Sequence, residues 1–277
     1  MNIQTQYRFI DHTALPVLGF GTNVFKGEPG IQAIKTALDA GYRLIDTAQR
    51  YDNEEEVGRA IQESGIPRGE VFITTKITDE NQGYQKTLDS VQVSLEKLQV
   101  DKIDLLLVHW PNMQDFSLSI ETFKALINLR EKGSATTIGV SNYTPKQIQD
   151  TIDATHVVPA VNQVEFHPFL YQKELLDYCG EREIRIESYC PIARAEKTDS
   201  PVLQRLAKKY EKSPVQVILR WHIEHGLVPI PRSMDPDHIK ANAEIFDFSL
   251  TEEEVEEINR LDENYRIVHP EKGPDSW

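Results

Sequence analysis

Four side-chain types that together can move a proton stand at related places in this chain. Asp46, Lys76 and His109 each end a short apolar run, and Tyr51 follows Asp46 by five residues. If they share one pocket, an acid, a base, a phenol and an imidazole are forced by burial to pair. A tyrosine of ordinary pKa, about 10, is a weak acid at neutral pH. A lysine ammonium at ~4 Å attracts the phenolate by roughly 1 to 4 kcal/mol at effective dielectrics between water and a protein surface, so Lys76 is expected to lower the Tyr51 pKa. Asp46 would keep Lys76 charged and fixed, and His109 would orient a substrate oxygen. The result is a proton donor aimed at a carbonyl oxygen, which carbonyl reduction requires once hydride reaches the carbon. Each residue alone also has a structural reading: Asp46 and Lys76 as an ion pair, His109 as a satisfied hydrogen-bonding group, Tyr51 as a loop cap.

The apolar runs that end on these residues have strand length. They lie at 17–21, 42–46, 71–75, 103–108, 136–140, 161–165, 185–189 and 227–230, separated by amphipathic segments such as IQAIKTALDA, NEEEVGRAIQES, YQKTLDSVQVSLEKL and SIETFKALINLREKG. Seven intervals between run starts span 210 residues, about 30 each, the length of a right-handed βα unit. The last interval is long because it holds two helical patterns, PVLQRLAKKY and SPVQVILRWHIEH. Eight such units predict an α/β fold, a (β/α)₈ TIM barrel, with residues 1–277 as a single domain. An open doubly wound sheet would more often carry a Gly-rich dinucleotide turn. The nearest approach, Gly19 to Val24, lacks the third Gly, and Lys26 to Gly30 reads as a loop rather than an immediate helix start. Tyr7 to Leu15 reads as an N-terminal hairpin closing the bottom of the barrel. Extra C-terminal helices are expected at 236–243, opened by Asp235 or Pro236, and at 251–260, capped by Ser249 or Thr251. The tail after Asn264 has no period and is expected to lie across the barrel.

In such barrels chemistry sits where strands end, so the remaining strand ends join the candidate site: Ser141 and Asn142, Gln163 and Glu165, Tyr189, and Arg232 with Ser233. The 277 residues, 39% hydrophobic, suffice for one large core. A net charge of −14 argues against nucleic acid and anionic membranes as partners, and nine acids against one base in 244–264 locate much of that charge in one segment, expected to be a solvated helix face. No apolar run approaches the ~18 residues of a membrane span and no signal peptide opens the chain, so a cytoplasmic protein is expected. Cys179 and Cys190, eleven positions apart, fit neither a disulfide framework nor zinc spacing and are expected to be reduced.

From the first strand to the tail the chain resembles the aldo-keto reductases. The residues that carry the resemblance are GYRLIDTAQRYDNEEEVGRAI at 41–61, LLVHWP at 106–111, GVSN at 139–142 and NQVEFHP at 162–168. In length and short tail it is most similar to bacterial members related to 2,5-diketo-D-gluconate reductase. The resemblance implies Tyr51 as general acid, Lys76 and Asp46 as the pair that tunes it, and His109 as the group that orients the carbonyl. It also implies a nicotinamide cofactor bound without a Rossmann turn. Ser141, Asn142 and Gln163 would hold its carboxamide, Tyr189 would stack on its ring, and Thr22 would join the cofactor site. The family's Ile-Pro-Lys-Ser stands here as Ile230, Pro231, Arg232 and Ser233, so Arg232 would grip the extra phosphate of NADPH. His238 replaces the family's Arg and Ala241 precedes Asn242 in place of Glu, so NADPH is expected with NADH as the alternative. Asn23 and Trp110 would line the substrate pocket, Asn23 with Val24 and Phe25 replacing an aromatic wall. Together these imply a small polar carbonyl substrate such as a keto sugar acid, and a monomer.

Three other readings use the same residues. A Schiff-base aldolase could use Lys76, but a lysine held charged by Asp46 is a poor amine nucleophile. A metal hydrolase could draw on Asp46, His109, Glu165 and His167, yet strand one lacks the usual His pair, and His222 and His225 read as solvated helix surface; no metal is expected. A non-catalytic NADPH-binding accessory subunit is the third, and only about sixteen residues precede the first strand.

Overall fold

The computed structural model describes residues 1–8 and 13–268. Strands β1 (Gln6–Arg8) and β2 (Ala14–Pro16) pair antiparallel. Then follow β3 (Gly19–Gly21), α1 (Gly27–Asp39), β4 (Leu44–Asp46), α2 (Glu54–Ser64), β5 (Phe72–Ile77), α3 (Tyr84–Leu98), β6 (Ile103–Val108), α4 (Phe116–Glu131), β7 (Ala135–Ser141) and α5 (Pro145–Thr155). The second half holds β8 (Val161–Glu165), α6 (Lys173–Glu181), β9 (Arg185–Tyr189), α7 (Pro201–Tyr210), α8 (Pro214–Glu224), β10 (Val228–Pro229), α9 (Pro236–Ala243) and α10 (Glu252–Asn259). Strands β3 to β10 run parallel in sequence order. The ends of that sheet meet through Gly21 N–H, which donates to the Pro231 carbonyl at 3.1 Å, and the TIM barrel closes.

Two apolar clusters follow from the strand period of two. Leu44, Leu105, Leu107, Val161, Val228 and Ile230 fill the barrel interior with Leu15 of the hairpin, and Tyr7 packs beneath them. The alternate residues, among them Ile45, Leu106, Val108 and Val164, face the helices. The same alternation carries the inner face on past its apolar layer. Two residues after Leu44 comes Asp46, after Leu107 His109, after Val161 Gln163, and Lys76 lies beside Leu107 in register. The polar groups therefore form the next inward layer at the C-terminal ends of the strands.

Three expectations are corrected. Lys26 to Gly30 is not a loop, because α1 begins at Gly27. Pro29 sits in the first helical turn, where its missing N–H costs nothing, and Gly30 is required because a Cβ there would lie 2.9 Å from Phe25. His222 is not solvated surface. Helix α8 is buried along Gln216 to Ile223, and the His222 ring nitrogens face the carbonyls of Ile218 and Phe166 at 2.9 and 3.0 Å, while His225 is half-buried. The acidic segment is not simply solvated either: Glu254 is buried and accepts from Lys209, Glu257 pairs with Arg205, and Asp247 with Lys212.

Asp235 and Thr251 are the N-caps of α9 and α10, the latter with Glu254 in a capping box. Across the barrel mouth, Tyr265 N–H donates to Phe169 O at 2.8 Å, and the N–H groups of Ile267 and Val268 donate to the Glu165 carboxylate at 2.7 and 3.0 Å. The expected tail position holds to Val268; residues 269–277 lie outside the described set. No described helix is long and apolar enough to cross a membrane.

Candidate active site

At the C-terminal end of the barrel lies a cavity of about 460 Å³. Beneath it, Lys76 is wholly buried, with Nζ 2.7 Å from both Asp46 carboxylate oxygens and 2.8 Å from the Thr47 carbonyl. That nitrogen is 4.9 Å from the centre of the Tyr51 ring. Tyr51 comes from the turn Gln49–Tyr51, pinned by Gln49 to Ser90 and Ser94 of α3 and to Asn81. The His109 ring stands edge-on to the Tyr51 ring, centroids 5.7 Å apart. All four expected catalytic residues are thus brought together, with Tyr51, His109 and Asp46 lining the cavity and Lys76 behind them.

The electrostatics differ from the simple two-charge expectation. Burial depresses the Lys76 ammonium, but Asp46 and Tyr51 outweigh it and the lysine is held above its ordinary value. Burial pushes the Asp46 carboxyl up against the pull of Lys76 and Gln163. Tyr51 is likewise raised, because burial outweighs the lowering by Lys76 and Asp46 adds to the rise. The expected lowering of Tyr51 is therefore corrected. Lys76 moderates a phenol that its surroundings keep protonated.

Ser141, Asn142, Gln163 and Tyr189 line the same cavity. Asn142 sits in the left-handed region, φ 65°, which lets its amide donate to the His109 carbonyl at 3.0 Å and accept from Tyr189 Oη at 2.8 Å. Ser141 Oγ donates to Gln163 O at 2.8 Å. The Gln163 amide donates to Asp46 at 2.8 Å and to Glu187 at 2.6 Å. Arg232 lines the cavity and reaches across to the Asn23 carbonyl at 2.8 Å. Asn23, Val24 and Trp110 also line it, whereas Phe25 is packed in the core against Phe20.

Four expected cofactor residues stand off this cavity. Thr22 is buried and donates to the Asp46 backbone carbonyl at 2.8 Å, supporting the site without lining it. Ser233 caps the turn into α9 by accepting from Asp235 N–H at 3.1 Å; His238 and Asn242 share one face of α9, the first exposed and the second buried. Ser233, His238 and Asn242 follow Arg232 in the chain.

Sequence reasoning missed three charged residues. Arg50 lines the cavity beside Tyr51 and pairs at 3.5 Å with Asp79, both partners more than a third exposed. Arg194 lines it from a segment in which Ala193, Arg194 and Ala195 all have left-handed φ, 47°, 54° and 62°. Glu187 lies below, two residues before Tyr189 on the same strand face. Period-two alternation would have found Glu187, and adjacency to Tyr51 would have found Arg50; nothing in the local pattern marks Arg194. No cluster of three or more His, Cys, Asp or Glu able to hold a metal occurs among the described residues.

The model of the Aldo/keto reductase family matches residues 17–263. Glyoxal reductase of Bacillus subtilis is 44% identical over 92% of this chain and 93% of its own length. 2,5-Diketo-D-gluconic acid reductase B of Corynebacterium sp. is 44% identical over 88% of each chain. The crystal structure of a Bombyx mori aldo-keto reductase in complex with NADP superposes with a TM-score of 0.88 at 34% identity, covering 95% of this chain and 94% of the other.

Proposed function

The chain belongs to the aldo/keto reductase family and is an oxidoreductase, and from that premise we propose that it reduces small polar carbonyls with NADPH, Tyr51 delivering the proton. The observation that carries this reading is the Asp46–Lys76 pair, bonded at 2.7 Å, beneath Tyr51 in a cavity shared with His109. The cavity's donor set suits a nicotinamide dinucleotide. Ser141, Asn142 and Gln163 offer amide-matching groups, Tyr189 a flat ring, and Arg232 and Arg194 positive charge for phosphates. Ser233, His238 and Asn242 extend that set along α9 toward the adenosine end, and Thr22 acts through Asp46. When bound, the dihydronicotinamide supplies hydride to the carbonyl carbon.

Everything else falls to this chain's own side chains. His109 donates a hydrogen bond to the carbonyl oxygen and holds it near Tyr51. Tyr51 Oη gives its proton to that oxygen as negative charge develops on it. Lys76 stabilises the phenolate that remains, and Asp46 keeps Lys76 charged and in place. A lysine so held is a poor amine nucleophile, which disfavours a Schiff-base mechanism.

Arg50 and Asn23 on the substrate side support polar substrates with an anionic group, such as keto sugar acids. We read the chain as one barrel domain, acting as a cytoplasmic monomer. The test follows absorbance of NADPH, and of NADH as the alternative cofactor, against aldehydes, keto sugars, sugar acids and α-keto esters. Tyr51→Phe should bind NADPH normally and lose roughly 10² to 10⁴ in turnover, the worth of a positioned acid. Near-normal turnover in that variant would sink the mechanism, and turnover of none of these carbonyls by the unaltered protein would leave only an accessory, non-catalytic role.

A further inference from the structure

Below the cavity a carboxylic acid is built into the barrel interior. Glu187 on β9 is fully buried, level in register with Gln163 of β8 and Val228 of β10. Its Oε2 accepts from Gln163 Nε2 at 2.6 Å, and the same nitrogen donates to Asp46 Oδ2 at 2.8 Å. A continuous chain therefore runs from Glu187 through Gln163, Asp46 and Lys76 to within 4.9 Å of the Tyr51 ring centre.

Two features of this chain carry a consequence for ligand binding. The Gln163 amide has two N–H hydrogens, and the two carboxyl groups take both, which leaves Oε1 as its acceptor on a residue that lines the cavity. Without Glu187 one amide N–H loses its acceptor and Asp46 alone holds the amide, so its orientation is less firmly fixed. The second feature is that Glu187 Oε1 is buried and meets no hydrogen-bond partner among the described residues. A buried carboxylate with a bare oxygen is costly, and the neutral acid, which leaves an unpaired hydroxyl there rather than an unpaired charge, costs less. Burial first, and then the charge of Asp46, push the Glu187 carboxyl up to about 8, against the pull of Gln163 and Lys76.

We infer that Glu187 is a positioning residue for cofactor binding: as a neutral acid it locks Gln163 with the amide oxygen toward the cavity, and it links that amide to the Asp46–Lys76–Tyr51 proton donor. This rests on the reading of the cavity as a nicotinamide site. Ionisation of Glu187 would add a second negative charge beside Asp46, which favours the oxidised nicotinamide, cationic in its ring, over the neutral reduced one.

The experiment measures dissociation constants of NADPH and NADP⁺ by protein fluorescence between about pH 6 and 9, on either side of the Glu187 value of about 8. Glu187→Gln, which keeps the shape and stays neutral, should match the unaltered protein at pH 7, and Glu187→Leu should bind NADPH about tenfold more weakly, roughly the worth of one hydrogen bond. In the unaltered protein the ratio of the NADP⁺ to the NADPH constant should fall as pH passes 8, and in Glu187→Gln it should stay flat. Unchanged NADPH affinity in Glu187→Leu of native circular dichroism, or the same pH dependence in Glu187→Gln as in the unaltered protein, overturns the inference. If Glu187→Leu does not fold, the pH arm decides alone. Failure of the unaltered protein to bind either dinucleotide overturns both this inference and the function it rests on.

Discussion

At the scale of single residues, the pairing of Asp46 with Lys76 was legible from the strand ends, but the balance of forces on Tyr51 was not. Coulomb's law between two residues can be applied to a sequence. Desolvation depends on every atom around the phenol, and here it wins. The same effect governs the two free thiols. Burial pushes Cys190, at the cavity wall, up to about 11, and Cys179 up to about 12. Both should be nearly inert to a thiol-specific disulfide reagent at neutral pH in the native protein and react promptly in denaturant, which a colorimetric titration reads directly. Arg232 carries a different prediction. If it holds the extra phosphate, Arg232→Ala should weaken NADPH much more than NADH; an equal loss for both would remove Arg232 from that role.

The elements were legible because their periods are strong. Three of the expected strands, 103–108, 161–165 and 185–189, agree with β6, β8 and β9 at both ends. The helix expected at 236–243 agrees with α9, the one expected at 251–260 is one residue shorter at each end, and Asp235 and Thr251 are the caps among the alternatives. Misreading came where composition and conformation part company, as at the start of α1, where Gly, Pro and Gly occupy a helical turn rather than a loop. Close approach between elements is a second thing that composition conceals. Gly58 of α2 sits against the end of α3, and a Cβ there would lie 2.4 Å from the Leu98 carbonyl oxygen. Because backbone cannot step aside as a side chain can, Gly58→Ala should cost about 1 to 3 kcal/mol and lower the melting temperature measured by calorimetry. An unchanged melting temperature would mean that α2 and α3 can move apart freely.

For the whole molecule, the buried His222 ties α8 to the strand-end segment at Phe166 and makes acid stability predictable. Burial lowers its pKa to about 4, against an ordinary 6.5, so between those values the unfolded chain binds the extra proton. Stability contributed by the neutral ring is therefore complete above about pH 6.5 and is lost as pH falls toward 4, by an amount on the order of 3 kcal/mol. Urea midpoints over that range should fall with pH and fall less in His222→Gln; equal slopes would place the titrating group elsewhere. The net charge of −14 argued against anionic polymers as partners but was silent on the site, whose cavity carries Arg50, Arg194 and Arg232. What the chain alone determined was the eight-unit architecture and the gathering of Asp46, Tyr51, Lys76 and His109 at one end, since strand period and strand order are local properties that a parallel barrel converts into position. Only the tertiary structure decided which groups are desolvated, that Glu187 joins Gln163 to Asp46, and that Arg194 reaches the same cavity. Those facts depend on distances between residues far apart in the chain, and no local pattern encodes them.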